Sequence, residues 1–200
     1  MAFDEVLLER VSVPTLRLYR WLTPAVSFGY FIRHAAVFAL WPGRKLVRRM
    51  TGGGMVDHRA DLTYSLILPA AHTLAMGPPR ESYRSIHAAI AAWMDRRGIR
   101  TELAPQPGAN SANVCFESPA EFDLVTEGRK IAGAAQRRTR SGLLHQGSIL
   151  YDGICEDDRN DFPSAFTAAW TEEMPQQETL AAATELAARK YALQSWTERV

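Results

Sequence analysis

The stretch "VRRMTGGGMVDHRADLTYSL", residues 47–66, sets two arginines directly before three consecutive glycines. Glycine allows a ligand to approach the backbone closely, and successive backbone N–H groups can point together at an anion. The stretch lacks the Gly-Lys-Ser/Thr ending of a P-loop and the helix-opening G-x-G-x-x-G of a dinucleotide site. It therefore predicts either an anion-binding loop of another kind or a tight turn beside two solvated arginines.

The two arginines and a histidine are the side chains of this stretch that could meet a ligand. Because neighbouring residues of a strand point to opposite faces, we expect only one of Arg48 and Arg49 to reach it. His58 follows the glycines, and Asp61 stands three residues later. His58 could line the site or hold the loop in place, and the sequence leaves both possibilities open.

The bulk composition is that of an ordinary globular protein of 200 residues, with 46% hydrophobic and 22% charged residues. A net charge of +1 gives no general reason to expect binding to nucleic acid or to a membrane surface. Two cysteines are too few for a disulfide framework or a cysteine-rich zinc site, so we expect a reducing cytoplasm and no metal. No apolar run approaches the roughly twenty residues of a membrane helix.

Hydrophobic periodicity predicts helices and strands in mixed order along the chain. The clearest helix covers 80–98, where Ile86, Ile90, Trp93 and Met94 form an apolar stripe. The other predicted elements are a helix over 3–11, strands over 15–21, 25–32, 61–69, 99–103 and 142–151, a hairpin over 122–138 turning at Glu127-Gly128, and helix from Pro163 onward. We interpret residues 1–200 as a single α+β domain, with helices packed on a mixed sheet.

A cysteine and a lysine are the candidates for chemistry. Cys115 directly follows a polar stretch, 104–113, whereas a purely structural cysteine usually lies inside an apolar element. Lys130 could lower the pKa of the thiol and keep it as a nucleophilic thiolate. The alternatives are a buried hydrophobic cysteine and a solvated hairpin lysine, and both remain open. Cys155 stands among acids, which raise a thiol pKa, and is a poor nucleophile candidate.

Two further stretches could lie close to a ligand. Lys130 opens "KIAGAAQ", 130–136, whose small residues would let a group pass near the backbone. His145 and Gly147 interrupt an apolar strand and could line a pocket or face solvent. A glycine within a strand often marks the close approach of a ligand or of another backbone.

Several segments together resemble the lipoate–protein ligase and octanoyltransferase superfamily, which shares a catalytic module with biotin protein ligases. The matching stretches are "MAFDEVLLERV" (1–11), "LRLYRWLTPAVSFGYF" (16–31), the stretch 47–66, "CFESPAEFDLVTEGRKIAGAAQRR" (115–138), "LLHQGSIL" (143–150) and "RKYALQSW" (189–196). They run in family order across nearly the whole chain. The resemblance implies a central mixed, largely antiparallel sheet flanked by helices.

Two chemistries compete within that superfamily. Octanoyltransferases take octanoyl from acyl carrier protein onto a cysteine and pass it to a lysine of an acceptor protein, without a cofactor. Ligases use ATP and Mg to activate lipoate as an adenylate. Cys115, placed fifteen residues before Lys130, is similar to the nucleophile of one class of octanoyltransferase. Gly54 favours the ligase, because many of these transferases have arginine there.

The resemblance also implies site residues and partners. Cys115 and Lys130 would be catalytic, and substrate or adenylate would be bound by Arg49, Gly52, Gly53, Gly54, Met55, Val56, Asp57, His58, Gly133, Ala134, His145 and Gly147. The implied partners are octanoyl-acyl carrier protein and a lipoyl-domain or glycine-cleavage H-type acceptor, with the enzyme a monomer. The histidine of "LLHQGSIL" stands one position earlier than in the family. The chain also begins at the first helix, which raises the expectation of a shortened start.

Overall fold

The strands of the protein form two sheets, the larger of which is antiparallel throughout. This computed structural model describes residues 1–59, 61–106 and 119–199. Its strands are β1 (Thr15–Tyr19), β2 (Ala25–Phe28), β3 (Lys45–Arg48), β4 (Met55–His58), β5 (Leu62–Pro69), β6 (Glu102–Leu103), β7 (Leu124–Thr126), β8 (Arg129–Thr139) and β9 (Gly142–Ile149). Its α-helices are α1 (Ala2–Arg10), α2 (His34–Leu40), α3 (Thr73–Met76), α4 (Pro79–Asp95), α5 (Glu156–Asp161), α6 (Gln177–Leu186) and α7 (Gln194–Thr197).

The larger sheet has the order β1-β5-β9-β8-β7-β6, and the smaller has the order β3-β2-β4. All neighbours in the larger sheet are antiparallel, whereas β2 pairs in parallel with β3 and antiparallel with β4. The expected α+β class with a largely antiparallel sheet and flanking helices is therefore confirmed. The strands divide between two sheets, rather than forming one central sheet.

Helix α4 covers one face of the larger sheet, as its apolar stripe predicts. Ile86, Ile90, Trp93 and Met94 are all buried and pack with side chains of β5 and β9 in the main core. Burying one such side chain contributes about 1.5–3 kcal/mol. Both faces of β5 and β9 are buried, because α4 covers one face and α1 with the smaller sheet covers the other.

Three predicted elements differ from or refine the sequence interpretation. The β7–β8 hairpin turns at Glu127 and Gly128, both with positive φ, as predicted. Strand β2 stops at Phe28 instead of reaching residue 32, because the chain bends at Gly29 to meet the glycine loop. The continuous helix predicted from Pro163 is wrong: a 3₁₀ turn (Phe162–Ala165) is followed by irregular chain until α6, and a π turn (Ala187–Tyr191) follows α6.

Arg48 fastens the C-terminal segment to the smaller sheet. Its guanidinium is almost fully buried and donates to five backbone carbonyl groups, those of Gly29, Tyr30, Ile32, Thr197 and Arg199. In return, the indole N–H of Trp196 donates to the Arg48 carbonyl at 3.3 Å. Arg48 is therefore a structural residue, and of the two arginines only Arg49 faces the cavity described below.

We expect Arg48→Met to lower the free energy of unfolding by about 3 kcal/mol, since it leaves buried carbonyl groups without a donor. Urea unfolding measures the loss, and limited proteolysis should cut the segment after α6 faster. Arg189→Met is the matched control, because Arg189 is exposed on the same C-terminal segment. Equal stability of the two variants would show that the carbonyl cluster does not depend on Arg48.

Among the described residues, no helix combines the length and the apolar character needed to cross a lipid bilayer.

Candidate active site

A cavity of about 500 Å³, including its mouth, lies between the two sheets. The larger sheet contributes residues of β1, β5, β8 and β9, and the smaller sheet contributes β2, β4 and the glycine loop. The lining residues are Met1, Tyr19, Ser27, Arg49, Gly53, Gly54, Val56, His58, Thr63, Lys130, Gly133, Ala134, Ala135, Gln146, Gly147 and Ser148.

The structure describes thirteen of the site residues predicted from the sequence, and nine of them line this cavity while four do not. The nine are Arg49, Gly53, Gly54, Val56, His58, Lys130, Gly133, Ala134 and Gly147. The four outside it are Gly52, Met55, Asp57 and His145. Cys115 lies outside the described residues, as does all of 107–118. The exposed Cys155 does not line the cavity either.

Strand alternation explains why half of β4 misses the cavity. Val56 and His58 face it, so Met55 and Asp57 point the other way. Met55 is buried in the small core beneath α2, and Asp57 forms ion pairs with Arg44 and Arg59. The sequence predicts that alternate residues of β4 face opposite sides, but it does not show which side faces the cavity.

His145 also points away from the cavity, into the layer beneath α4. Its Nε2 lies 3.1 Å from the Tyr64 hydroxyl and its Nδ1 lies 3.0 Å from the Gln136 amide nitrogen. Gly147 is two residues further along β9, and a Cβ there would overlap the ring of Tyr64. Gly147 is therefore required because the Tyr64 ring packs against its backbone. The close approach that a glycine within a strand indicates is made here by a side chain of the protein and not by a ligand.

Arg49 shapes the glycine loop. Its Nη2 donates to the carbonyl oxygens of Gly52 and Gly54 at 3.0 and 2.9 Å, and its Nε donates to the Thr51 hydroxyl at 3.3 Å. The loop thus turns carbonyl groups towards the arginine. The sequence suggested that the Arg49 guanidinium would face an anion bound by the loop. In the structure this guanidinium donates hydrogen bonds to the loop itself.

Gly29 lets the glycine loop lie directly against β2. A Cβ on Gly29 would lie far inside contact distance of the Gly53 carbonyl oxygen. The backbone N–H of Gly29 donates to the Gly54 carbonyl at 3.1 Å, which fixes the contact. The sequence signal for this role was only an isolated glycine at the end of an aromatic strand.

Lys130 reaches the cavity because β8 contains a β-bulge. The register shifts between Leu124–Ala132 and Val125–Lys130, so that Ile131 is an extra residue in the pairing with β7. Ile131 and Ala132 consequently both enter the core beneath α4, although they are sequence neighbours. Without the extra residue, Lys130 would point to the same face as Ala132, away from the cavity.

The ammonium group of Lys130 forms a buried ion pair with Asp123. Its Nζ lies 2.7 Å from Asp123 Oδ2, and the side chains are 6% and 1% exposed. Asp123 also accepts from the Tyr83 hydroxyl at 2.6 Å and from the backbone N–H of Ala120 at 2.6 Å. These contacts fix the lysine at the cavity with its charge compensated, which a buried ion pair requires.

Gly133 makes room for the lysine. A Cβ at this position would lie 2.7 Å from Lys130 Cε and 2.8 Å from its Nζ. Gly133 therefore leaves space for the Lys130 side chain. The sequence predicted that the small residues of "KIAGAAQ" make room for a ligand, whereas Gly133 makes room for Lys130 itself.

A second polar group on the cavity wall joins the two sheets. His58 Nδ1 lies 2.8 Å from Asp61 Oδ2, and His58 Nε2 lies 2.7 Å from Ser27 Oγ. Asp61 Oδ2 also accepts from Thr63 at 2.6 Å and Ser148 at 2.7 Å. Burial alone would raise the pKa of the Asp61 carboxyl, but the hydrogen bonds from His58, Thr63 and Ser148 outweigh it and hold the pKa below its ordinary value.

The layer beneath α4 holds a second buried histidine beside His145. His87 Nδ1 lies 2.6 Å from the Phe122 carbonyl oxygen, and its ring meets that of His145 edge-on at 5.5 Å. Burial lowers the pKa of His87 to about 4 and lowers the pKa of His145 well below its ordinary value. Both rings are therefore neutral at pH 7, and this layer is a structural support behind the Asp123 loop.

The buried histidines predict acid sensitivity. In the unfolded chain His87 binds a proton below about pH 6.5, whereas in the folded protein it does so only near pH 4, so its stability contribution is lost as the pH falls between these values. From pH 7 to pH 5 the parent should therefore lose about 2 kcal/mol more unfolding free energy than His87→Gln. Urea titrations at both pH values measure this; parallel losses would exclude His87 as the cause.

Comparison with known proteins gives the family of the chain. The family profile described as the lipoyl protein ligase A/B catalytic domain matches residues 1–181. Octanoyltransferase LipM of Oceanobacillus iheyensis is 40% identical in an alignment that covers 74% of this chain and 58% of that protein. Octanoyltransferase LipM of Staphylococcus epidermidis is 37% identical in an alignment that covers 78% of this chain and 63% of that protein. The chain thus spans about three fifths of the length of these relatives.

Solved structures share the fold. A lipoate-protein ligase A bound with ATP superposes with a TM-score of 0.79 at 19% identity, covering 98% of this chain and 92% of the other. A bipartite lipoate protein ligase from Thermoplasma acidophilum superposes with a TM-score of 0.75 at 20% identity, covering 98% and 89%. With the fold, the glycine loop and the matched residues in agreement, the chain belongs to the lipoyl protein ligase A/B catalytic domain family.

Proposed function

We propose that this chain is an octanoyltransferase that works through a thioester on Cys115. The observation that supports it most is the 40% identity to a protein named octanoyltransferase LipM. A second support is the buried ammonium group of Lys130 in the cavity, fifteen residues after Cys115 along the chain. A cation of this kind stabilises a nearby thiolate and lowers the thiol pKa.

The reaction is an exchange of acyl bonds in two steps. The Cys115 thiolate attacks the carbonyl carbon of the octanoyl thioester on acyl carrier protein, and the carrier thiolate leaves and takes up a proton. The amine of the acceptor lysine then attacks the enzyme thioester, an amide forms, and the Cys115 thiolate returns. One thioester replaces another in the first step, so the reaction needs no ATP and no other cofactor.

The proposed partners follow from this chemistry. The donor is octanoyl-acyl carrier protein, and the acceptor is a lipoyl-domain or glycine-cleavage H-type protein. We propose that residues 1–200 act as one catalytic domain, as a monomer in the cytoplasm. The cavity residues of the glycine loop and of β8 would border the acyl chain and the reacting carbonyl.

One feature favours a second function, an ATP-dependent lipoate–protein ligase. Gly54 stands where many of the transferases have arginine, and it lines the cavity with its carbonyl oxygen bonded to Arg49. In this alternative the cavity holds a lipoyl-adenylate, and the reaction requires ATP and Mg²⁺.

A single set of incubations separates the two functions. Octanoyl-acyl carrier protein is mixed with the enzyme, quenched in acid and analysed by intact mass and peptide mapping. We expect an octanoyl adduct on the peptide that contains Cys115, and we expect added lipoyl-domain protein to discharge it. An adduct on another residue would contradict the Cys115 thioester. No adduct, together with lipoate-dependent release of pyrophosphate from ATP, would establish the ligase instead.

A further inference from the structure

Ser27, His58 and Asp61 form a hydrogen-bonded series that ends at the cavity. The serine comes from β2, the histidine from β4, and the aspartate directly precedes β5, so the series reaches from the smaller sheet to the edge of the larger one. The three residues are 1%, 3% and 6% exposed. Ser27 and His58 both line the cavity. The inference drawn from this series rests on the proposed octanoyl transfer.

The chemistry of the end groups fixes the hydrogen bonds at the two ends of the series. Arg49 Nη1 lies 2.8 Å from Ser27 Oγ, and a guanidinium can only donate. Ser27 therefore accepts from Arg49, which leaves its hydroxyl hydrogen available for donation to His58 Nε2 at 2.7 Å. At the other end, the ionised Asp61 carboxylate accepts, so His58 carries its proton on Nδ1.

With its proton on Nδ1, His58 can accept the Ser27 hydroxyl hydrogen at Nε2, and Ser27 lies on the cavity wall. The ring is held in place by Trp21, which stacks on it at 4.2 Å with an interplanar angle of 17°. Asp61 is itself held by Thr63 and Ser148. A base is thus fixed in tautomer, position and orientation, in the manner of a nucleophile–base–carboxylate relay.

Lys130 cannot take this role. Its ammonium is paired with the Asp123 carboxylate at 2.7 Å, and a protonated amine has no electron pair to accept a proton. Among the described lining residues, His58 is the one that carries an imidazole, the side chain most often used as a general base. The second step of the reaction does release a proton, because an amine becomes an amide.

We propose that Ser27, His58 and Asp61 relay this proton away from the attacking acceptor lysine. As the lysine nitrogen bonds to the acyl carbon and the carbon–sulfur bond breaks, the N–H proton passes to Ser27 Oγ. The hydroxyl hydrogen of Ser27 moves to His58 Nε2, and the electron pair of the broken bond returns to sulfur. The imidazolium that forms is stabilised by the Asp61 carboxylate and later releases its proton to solvent.

Charged groups face His58 from several elements. Asp61 contacts Nδ1, Arg49 faces Nε2 through Ser27, and Arg159 of α5 donates to the Asp61 carbonyl oxygen at 2.9 Å. Lys130 and Tyr19 line the same cavity from the larger sheet. One carboxylate and two guanidinium groups therefore lie near the imidazole.

The test measures the two steps separately. Formation of the acyl-enzyme is followed by mass after mixing with octanoyl-acyl carrier protein, and its discharge is followed in single turnovers with lipoyl-domain protein. We expect His58→Gln and Asp61→Asn to slow discharge by about a hundredfold, the usual effect of losing a general base, while acyl-enzyme formation stays near the parental rate. Ser27→Ala removes only one hydroxyl group and should slow discharge in the same way.

Two further readouts distinguish a proton relay from a structural brace. The pH dependence of the discharge rate should differ between the parent and His58→Gln, because the variant lacks the base. Added imidazole should restore discharge in His58→Gly, because it supplies the missing base. Ser65→Ala is the matched control, since it removes an equally buried hydroxyl group from β5 outside the series, and it should discharge at the parental rate.

The outcomes separate the relay from the function on which it depends. If both steps slow equally in the variants, or if His58→Gln keeps the parental pH profile and imidazole restores nothing, the relay is wrong although the transferase stands. If the parent itself forms no acyl-enzyme, the octanoyltransferase proposal fails and the relay fails with it.

Discussion

Lys130→Met is expected to lower the proposed octanoyl transfer by about a thousandfold, the scale of losing a charged group that stabilises the reacting centre. The methionine keeps much of the side-chain volume beside Gly133 but removes the ammonium. It also leaves the Asp123 carboxylate buried without its cation, which costs about 3–5 kcal/mol of stability. Single-turnover transfer and urea unfolding measure the two effects.

A double variant separates the catalytic loss from the structural one. Lys130→Met combined with Asp123→Asn removes both charges. The asparagine carbonyl oxygen can accept from the Ala120 N–H, while its NH2 faces the Tyr83 hydroxyl, which can donate to the Ala134 carbonyl instead. We expect most of the lost stability to return while transfer stays low. Recovery of activity in the double variant would mean that Lys130 serves the fold and not the reaction.

Gly29→Ala is expected to cost about 3 kcal/mol of stability and nearly all activity. The new methyl group would occupy the position of the Gly53 carbonyl oxygen, so the glycine loop must move as backbone, and no side-chain rotation can relieve the overlap. Movement of the loop would withdraw Gly53, Gly54 and Arg49 from the cavity wall. Unfolding by urea and steady-state transfer at saturating donor report the two losses.

Gly52→Ala is the matched stability control for this prediction. A Cβ on Gly52 would meet no atom within 4 Å. Gly52 belongs to the glycine loop and was predicted from the sequence as a site residue together with Gly53 and Gly54. We expect it to unfold at the parental urea concentration. If Gly29→Ala matches it, close contact between β2 and the loop is not what holds the loop in place.

The sequence predicted local features well where a short-range rule applies. The stripe of α4 follows from a period of 3.6 residues, and the β7–β8 turn follows from Glu127-Gly128. The candidate Lys130, the glycine loop and His58 were identified because residue type and spacing resemble a known family. These features depend on residues close together in the chain, and Lys130, His58 and two glycines of the loop do line one cavity.

The missed residues depend on contacts between distant segments. Ser27 lies 31 positions from His58, and no pattern in β2 shows that its hydroxyl meets the imidazole. His145 was placed at the site, but the register of β9 turns it to the opposite face. A strand alternates between two faces, and only its packing partners decide which face meets the ligand.

The sequence by itself therefore determined the family and the fold class, and it supplied the candidates for the reactive groups. Only the tertiary structure decided where those groups point. The bulge at Ile131 turns Lys130 into the cavity, Gly29 admits the glycine loop, and the pairing of β2 with β4 aligns Ser27 with His58. The physical reason is that a one-residue change of register reverses the side of a sheet that a side chain faces, and register is set by long-range packing that no local pattern encodes.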